Sequence, residues 1–427
     1  MYQLLSGLRI VECASFIAAP SCALHLPQFG AEVIRIDPIG GGPDFRRWPL
    51  SPEGRSFYWE GLNKGKRSVA IDLSRPEGRT LATDLITAPG EGGGMFVTNF
   101  PPNGFLAHAR LRARRADLIT VRVTGWGDGS SALDYTVNAA IGVPYMTGPA
   151  MSAAPGRSQT SSHRSAQHES TPDTPEQPVN HVLPAWDLLT GAYGAFAAVS
   201  AERHRRLTGL GQELTVPLSD MALASLGHMG QIAEVLTGGD RPRMGNALYG
   251  AFGRDFTTRD GERVMVVAIT AKQWSGLLAA LQLQSAMAEL EKALKVSFAL
   301  DEGVRFTHRD MLFPIFEHAI GACTLAELQG RFEPNGVCWG PYRTLSRGLA
   351  EDPHLSLDRP LFNLLDHPSG HRYPAPGAAA TLDGTPRGPV LRAPYLGEHT
   401  GQVLAEVLAM SAAQIGALHD AGIVASA

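Results

Sequence analysis

The sequence predicts an α/β fold built around a largely parallel sheet, with a second, smaller domain. Two observations carry that expectation. Strand-like runs alternate with helix-like stretches through the first 125 residues, and 427 residues are too many for one ordinary core. Residues 8–12 (Leu-Arg-Ile-Val-Glu) read as a short buried strand, and 20–29 as a helix stopped by Gly30. A strand at 31–36 follows, closed by Asp37-Pro38 and the triplet Gly40-Gly41-Gly42. Residues 68–72 give another strand. A helix over 75–86 comes next, with Pro76 in its first turn, where the missing N–H has no intrahelical partner to lose. Residues 95–98 and 118–123 are two further β-branched runs. Ligands of such sheets bind beyond the carboxyl ends of the strands. The segments after Glu12, Ile36, Thr98 and Val123 are therefore the places to look for a site.

Later segments have a different rhythm. Residues 150–178 are Ser, Thr, Pro, Gln and His with almost nothing to bury, which predicts a mobile surface insertion. A helix is expected over 222–236, a hairpin from 254–257 and 264–269 around Asp260-Gly261, and further helices to 350. Beyond Pro360 the chain is rich in Pro and Gly, and it ends in helices near 397–408 and 412–421. The expected division is 1–220 (with 150–178 inserted), 221–350 and 351–427.

Composition narrows the class. Hydrophobic residues are 44% and charged residues 18%, the balance of a globular protein. A net charge of −4 gives no reason to expect nucleic acid. Cys13, Cys22, Cys323 and Cys338 match no metal spacing, so free thiols in a reducing compartment are expected. The amino terminus has no signal-peptide pattern, and no apolar run reaches the roughly 20 residues of a membrane span. The expectation is a cytoplasmic protein with no metal, no membrane partner and no permanently bound cofactor.

The segment richest in chemistry runs from His181 to Asp220. It reads His181-Val-Leu-Pro-Ala-Trp-Asp187, then a helix rich in Ala and Gly, then Thr208-Gly-Leu-Gly-Gln212 and a β-like run ending at Ser219-Asp220. Spacing alone leaves Asp187 two roles. It can cap the helix, accepting the N–H groups of the first turn, or it can be a carboxylate nucleophile. The roles are compatible, because a helix start favours an anion.

The same forty-residue pattern resembles the active-site segment of the family III CoA-transferases, the group that includes formyl-CoA and carnitine CoA-transferases. Distant blocks share the likeness: Gly7-Leu-Arg-Ile-Val-Glu12 with Ala19-Pro20, Asn63-Lys-Gly-Lys-Arg-Ser68, Thr98-Asn-Phe-Pro101 and Leu396-Gly-Glu-His-Thr400. Within the family, Asp37-Pro-Ile-Gly-Gly-Gly42, the run from Val179 to Asp187 and the run from Leu248 to Phe256 are most similar to members that move CoA between the two carboxyl groups of one branched unsaturated diacid. The resemblance implies a large Rossmann-like domain built from both chain ends and a smaller α+β domain from the middle. It also implies an intertwined, interlocked homodimer and an acyl-CoA thioester substrate that carries the coenzyme A. Asp187 would then attack the thioester carbonyl and form a mixed anhydride.

Around that centre the resemblance and the strand ends nominate further residues. Phe16, Ile17 and Ala18 fall beside the thioester, and Asn99 and Phe100 line the nucleotide or pantetheine channel. Arg35, Arg46, Arg47, Lys64, Lys66 and Arg67 are candidate phosphate partners, each with a solvated surface charge as the plain alternative. Arg46, Arg47, Tyr135, His181, Tyr249 and Arg254 form the pool for the second substrate carboxylate; His181 is the first to test because it lies six residues before Asp187, with a satisfied structural histidine as its plain alternative. The stretch Asn246-Ala-Leu-Tyr-Gly250-Ala-Phe-Gly253 reads either as a lid carrying oxyanion donors or as a plain turn into the hairpin. An intermolecular CoA-transferase, an α-methylacyl-CoA racemase-like enzyme using Asp187 with His181, and a non-catalytic CoA-binding protein remain as alternatives.

Overall fold

The computed structural model describes residues 1–150 and 177–427, so most of the expected 150–178 insertion lies outside the described residues. The chain forms two compact units. One comprises Met1–Ile141, His181–Thr237 and Leu357–Ala427; the other comprises Gly142–Asn180 and Gly238–Ser356.

The first unit holds a seven-stranded sheet. Its strands are β1 (Arg9–Cys13), β2 (Glu32–Asp37), β3 (Arg67–Ile71), β4 (Met95–Thr98), β5 (Ile119–Thr124) and β6 (Glu213–Pro217). These six pair in parallel in the order β3-β2-β1-β4-β5-β6. The short strand Val424–Ala425 adds antiparallel to β3 and makes the sheet mixed. This order reverses direction between β1 and β4, the switch point at which doubly wound sheets open a ligand crevice. The helices are α1 (Ala18–Gln28), α2 (Phe57–Leu62), α3 (Pro76–Thr87), α4 (His108–Arg114) and α5 (Asp134–Ala140) in the first unit, α6 (Val143–Met146) in the second, and then α7 (Ala185–Thr208), α8 (Leu218–His228) and α9 (Gln231–Gly238). Among the described residues no single helix is long and apolar enough to cross a membrane.

Both faces of the sheet are covered. Val11, Ile34, Val69, Ile71 and Phe96 pack against Leu81 and Leu85 of α3, Leu111 of α4, and Val403 and Leu404 of the helix Thr400–Leu408. A different pair of helices, α1 and α7, lies side by side and depends on small residues. A Cβ on Gly191 would stand 2.5 Å from the Ser21 hydroxyl oxygen and 2.9 Å from the Ala18 carbonyl, and one on Gly194 would stand 3.3 Å from Cys22 Sγ. The Ala- and Gly-rich composition of α7 thus sets the distance between the helices. It brings the first turn of α7 alongside the segment that follows β1. Gly191→Val is expected to lower stability by about 1–3 kcal/mol, read as a fall in the thermal midpoint, because the collision is with a backbone oxygen.

Two expectations about this unit change. The helix expected over 222–236 begins at Leu218 and is split, because Gly230 adopts φ +76 and ends α8 before α9 starts. Ser219-Asp220 therefore opens a helix and does not close the strand, which ends at Pro217.

The second unit contains the antiparallel sheet β7 (Phe252–Thr257), β8 (Arg263–Ala268) and β9 (Cys338–Pro341). The turn between β7 and β8 passes through Gly261 at φ +81. Trp274, Phe298, Phe316 and Phe332 fill its core against Phe252.

Candidate active site

The site is built where β1, β4 and β5 end and α7 begins. Past β1 the chain makes an unusual turn: Phe16 is a bulky residue at φ +71, a left-handed conformation that costs an L-residue roughly 1–2 kcal/mol. The amide side chain of Asn99, just beyond β4, holds it there. Asn99 Oδ1 accepts the Ser15 N–H at 3.1 Å and its Nδ2 donates to the Ser15 carbonyl at 2.8 Å. Arg122, buried on β5, donates to the Phe100, Pro101 and Leu106 carbonyls and fixes the loop that carries Asn99. Ile17 and Ala18 are buried at the start of α1.

Asp187 sits in the first turn of α7, half-buried. The capping role expected for it falls to a residue the sequence reading did not single out. Asp134, buried at the start of α5, accepts the N–H groups of Trp186 at 2.7 Å and of Asp187 itself at 3.0 Å through Oδ2. Its Oδ1 meets His181 Nε2 at 2.8 Å. One turn along α5, Asn138 Oδ1 accepts the Trp186 indole N–H at 3.1 Å. Asp134 and Asn138 therefore clamp the start of α7 from a neighbouring helix. The Asp187 carboxylate stays uncapped: among the described residues no donor hydrogen-bonds it. Burial pushes its pKa from 3.8 up to about 7, the charge of Asp134 adds to the rise, and Arg47 opposes it. The favourable field of the helix start is outweighed. A carboxyl held near neutrality is a stronger nucleophile, once ionised, than one at its ordinary value.

His181 lies on the same wall. Its ring is edge-on to Tyr135 at 5.7 Å, and the Tyr135 hydroxyl donates to the Val182 carbonyl at 3.1 Å. With Nε2 committed to Asp134, His181 acts on the capping carboxylate, the structural role that is its plain alternative.

Four of the expected phosphate partners have intramolecular partners in the structure. Arg35 is buried on β2, with Nη1 2.7 Å from Glu12, Nε 2.7 Å from Asp37 and Nη2 3.1 Å from Asp44. Lys66 is buried 2.7 Å from the other oxygen of Glu12 and donates to the Pro20 carbonyl and to Asn63 Oδ1. Burial works against both charges, but the surrounding carboxylates hold Arg35 above its usual value. Lys64 is buried, donates to the Gly61 carbonyl at 2.7 Å, and is pulled down to about 8 by burial with help from the charge of Lys66. Arg67 pairs with Glu32 and, at 2.8 Å, with Glu406. Arg35 and Lys66, already neutralised and out of water, gain little from a phosphate. Arg46 and Arg47 remain exposed on the loop between β2 and α2.

Tyr249, Gly250 and Arg254 belong to the second unit. Tyr249 packs at a tilt against Phe306, with ring centroids 5.1 Å apart and Arg241 4.0 Å over its ring, and Gly250 turns the chain at φ +81. The Arg254 guanidinium lies over Phe256 and Phe313.

Fold and site together define a doubly wound α/β enzyme that presents an uncapped, near-neutral carboxyl at the switch point of its sheet. Residues 5–400 match the family described as CoA-transferase family III, and the chain belongs to it. It is 48% identical over 427 residues, 100% of this chain and 98% of the relative, to 2-methylfumaryl-CoA isomerase of Chloroflexus aurantiacus. A more distant relative, at 27% identity with 95% of this chain and 94% of the relative covered, is a succinyl-CoA–D-citramalate CoA-transferase of the same organism. A CaiB/BaiF family protein of Brucella suis shares the fold, with a TM-score of 0.71 at 24% identity, covering 95% of this chain and all of the other. The protein is thus an enzyme of the family III CoA-transferase type, and its substrates involve coenzyme A.

Proposed function

We propose that the protein converts 2-methylfumaryl-CoA to 3-methylfumaryl-CoA by moving CoA from one carboxyl of the diacid to the other. The observation that carries this reading is the half-buried Asp187 carboxyl, drawn up to about 7 beside the clamped turn after β1. Ionised Asp187 attacks the C1 thioester carbonyl, and collapse of the adduct expels CoA as thiolate and leaves a mixed anhydride. The thiolate attacks the aspartyl carbonyl, giving an aspartyl thioester and the free diacid. The C4 carboxylate then attacks that thioester, expels the thiolate and forms the second anhydride. Attack of the thiolate on the C4 acyl carbon restores Asp187 and completes the exchange. Each step replaces one difficult substitution by an easier one. Water must stay out, since anhydrides hydrolyse.

The family likeness supports an interlocked homodimer as part of the same reading. Tyr193 is 51% and Phe196 67% exposed on α7, a large apolar surface for a helix of the first unit. The four cysteines are unpaired, which fits the reducing, cytoplasmic setting the reading assumes. The test is to incubate the enzyme with 2-methylfumaryl-CoA and isotopically labelled free methylfumarate. Unlabelled 3-methylfumaryl-CoA is the expected product. Label entering the thioester pool at the rate of turnover refutes an intramolecular transfer.

A further inference from the structure

An intramolecular exchange needs something the nucleophile cannot supply: a cation that holds whichever carboxylate is not reacting. From the geometry of the loop between β2 and α2 we infer that Arg47, with the Tyr58 hydroxyl beside it, is the subsite for the free carboxylate of the diacid. This deepens the proposed function and rests on it. The Arg47 guanidinium carbon lies 5.5 Å from the centroid of Phe16, the residue strained beside the site, and 5.4 Å from that of Tyr58 on α2. Two aromatic faces hold the guanidinium in place without neutralising its charge. The backbone of Arg47 is fixed at both ends: its N–H donates to the Asp44 carbonyl at 3.2 Å, and its carbonyl accepts the Ser56 hydroxyl at 2.5 Å. Asp44 is anchored in turn by Arg35.

Among the described residues no carboxylate lies within ion-pairing distance of Arg47, whereas Arg35, Arg67 and Arg122 are each paired. The Tyr58 oxygen is buried and no acceptor meets its proton. The neighbouring guanidinium offers only donors, so that proton is left for an incoming anion. Burial keeps the phenol protonated, reinforced by the charges of Asp187 and Asp44 against that of Arg47. The same groups place both donors within the electrostatic reach of Asp187, since Arg47 pulls down the carboxyl that Asp187 would use. A guanidinium and a phenol converging beside a nucleophilic carboxyl fit the far end of a short dicarboxylate. In the first half of the exchange they would hold C4, and in the second half C1.

The experiment measures binding in the Asp187→Asn background, where no acylation can occur. Dissociation constants are taken by calorimetry for 2-methylfumaryl-CoA and for (E)-2-methylbut-2-enoyl-CoA, which has a methyl in place of the free carboxylate. The diacid thioester is expected to bind roughly 10- to 100-fold more tightly, the range of a charge-assisted hydrogen-bond pair. Adding Arg47→Gln should erase that preference, Arg47→Lys should restore part of it, and Tyr58→Phe should reduce it by roughly 3- to 10-fold. If Arg47→Gln weakens both thioesters equally, it serves a group common to both, such as a CoA phosphate, and the subsite is overturned. A preference that survives Arg47→Gln, or that is missing at the outset, overturns it as well. Failure of the parent reading has a different signature, namely full isomerisation by the Asp187→Asn enzyme.

Discussion

Asp187→Ala is expected to reduce CoA transfer by roughly 10⁴-fold or more, because a covalent route loses its nucleophile and nothing nearby replaces it. In the native enzyme the same carboxyl should shape the pH dependence. Only the ionised form attacks, so kcat/KM should rise with pH and level off above about 7. The stability effect has the opposite sign to that of an ion-paired acid. The folded value lies above the unfolded one. The contribution of Asp187 to stability is therefore fully present below pH 3.8 and is lost as pH rises through about 7. An Asp187→Asn enzyme, which carries no such charge, should gain on the native protein by about 1–3 kcal/mol at pH 8 and by much less at pH 5. Thermal midpoints of both proteins at the two pH values measure this. An equal gap at both would mean that the carboxyl is not held in a poorly hydrated place.

Asp134→Ala should be the second most damaging change. It strips the acceptor from two N–H groups of α7 and the partner from His181, a loss of about 1–3 kcal/mol in stability. It also loosens the turn that aims Asp187, and misplacement of a reacting group by an ångström is worth roughly 100-fold in rate. The charge effect can be separated from the geometric one with Asp134→Asn, which keeps an acceptor oxygen but removes the anion. That variant should keep most of the thermal stability while the acidic limb of its pH–rate profile moves below about 7, since Asp134 helps raise Asp187. Profiles of kcat/KM for the three proteins measure both effects. A limb that stays in place would mean that the charge of Asp134 does not reach the nucleophile.

Much of the first unit was legible because its strands are β-branched and its helices are bounded by Pro and Gly. The segments after Glu12 and Thr98 meet through the Ser15–Asn99 hydrogen bonds, at the strand ends where the rule for parallel sheets directs attention. Asp134 was missed although its neighbour Tyr135 was chosen. An acid in the first turn of its own helix looks like a self-contained dipole partner, and nothing local says that its oxygens serve a helix some fifty residues on. The partners of the cations were hidden for a related reason. The sequence places Arg35, Lys64, Lys66 and Arg67 at strand ends, where a phosphate site is plausible, but the carboxylates that claim Arg35 come from Glu12, Asp37 and Asp44 on three separate segments. Pairing across strands becomes visible only once register is known. The break at Gly230 was hidden because neighbouring apolar residues keep a helical rhythm across it.

Beneath the loop that carries Arg47, the guanidinium of Arg35 and the ammonium of Lys66 share Glu12, while Asp37 and Asp44 complete the set. Deleting any one member strands an ion in a dry interior, which is far more harmful than replacing the whole group by well-fitted apolar side chains. The five positions can therefore be exchanged together but not one at a time, so stepwise redesign of this enzyme has to leave that nucleus intact and work on the aromatic and polar residues above it.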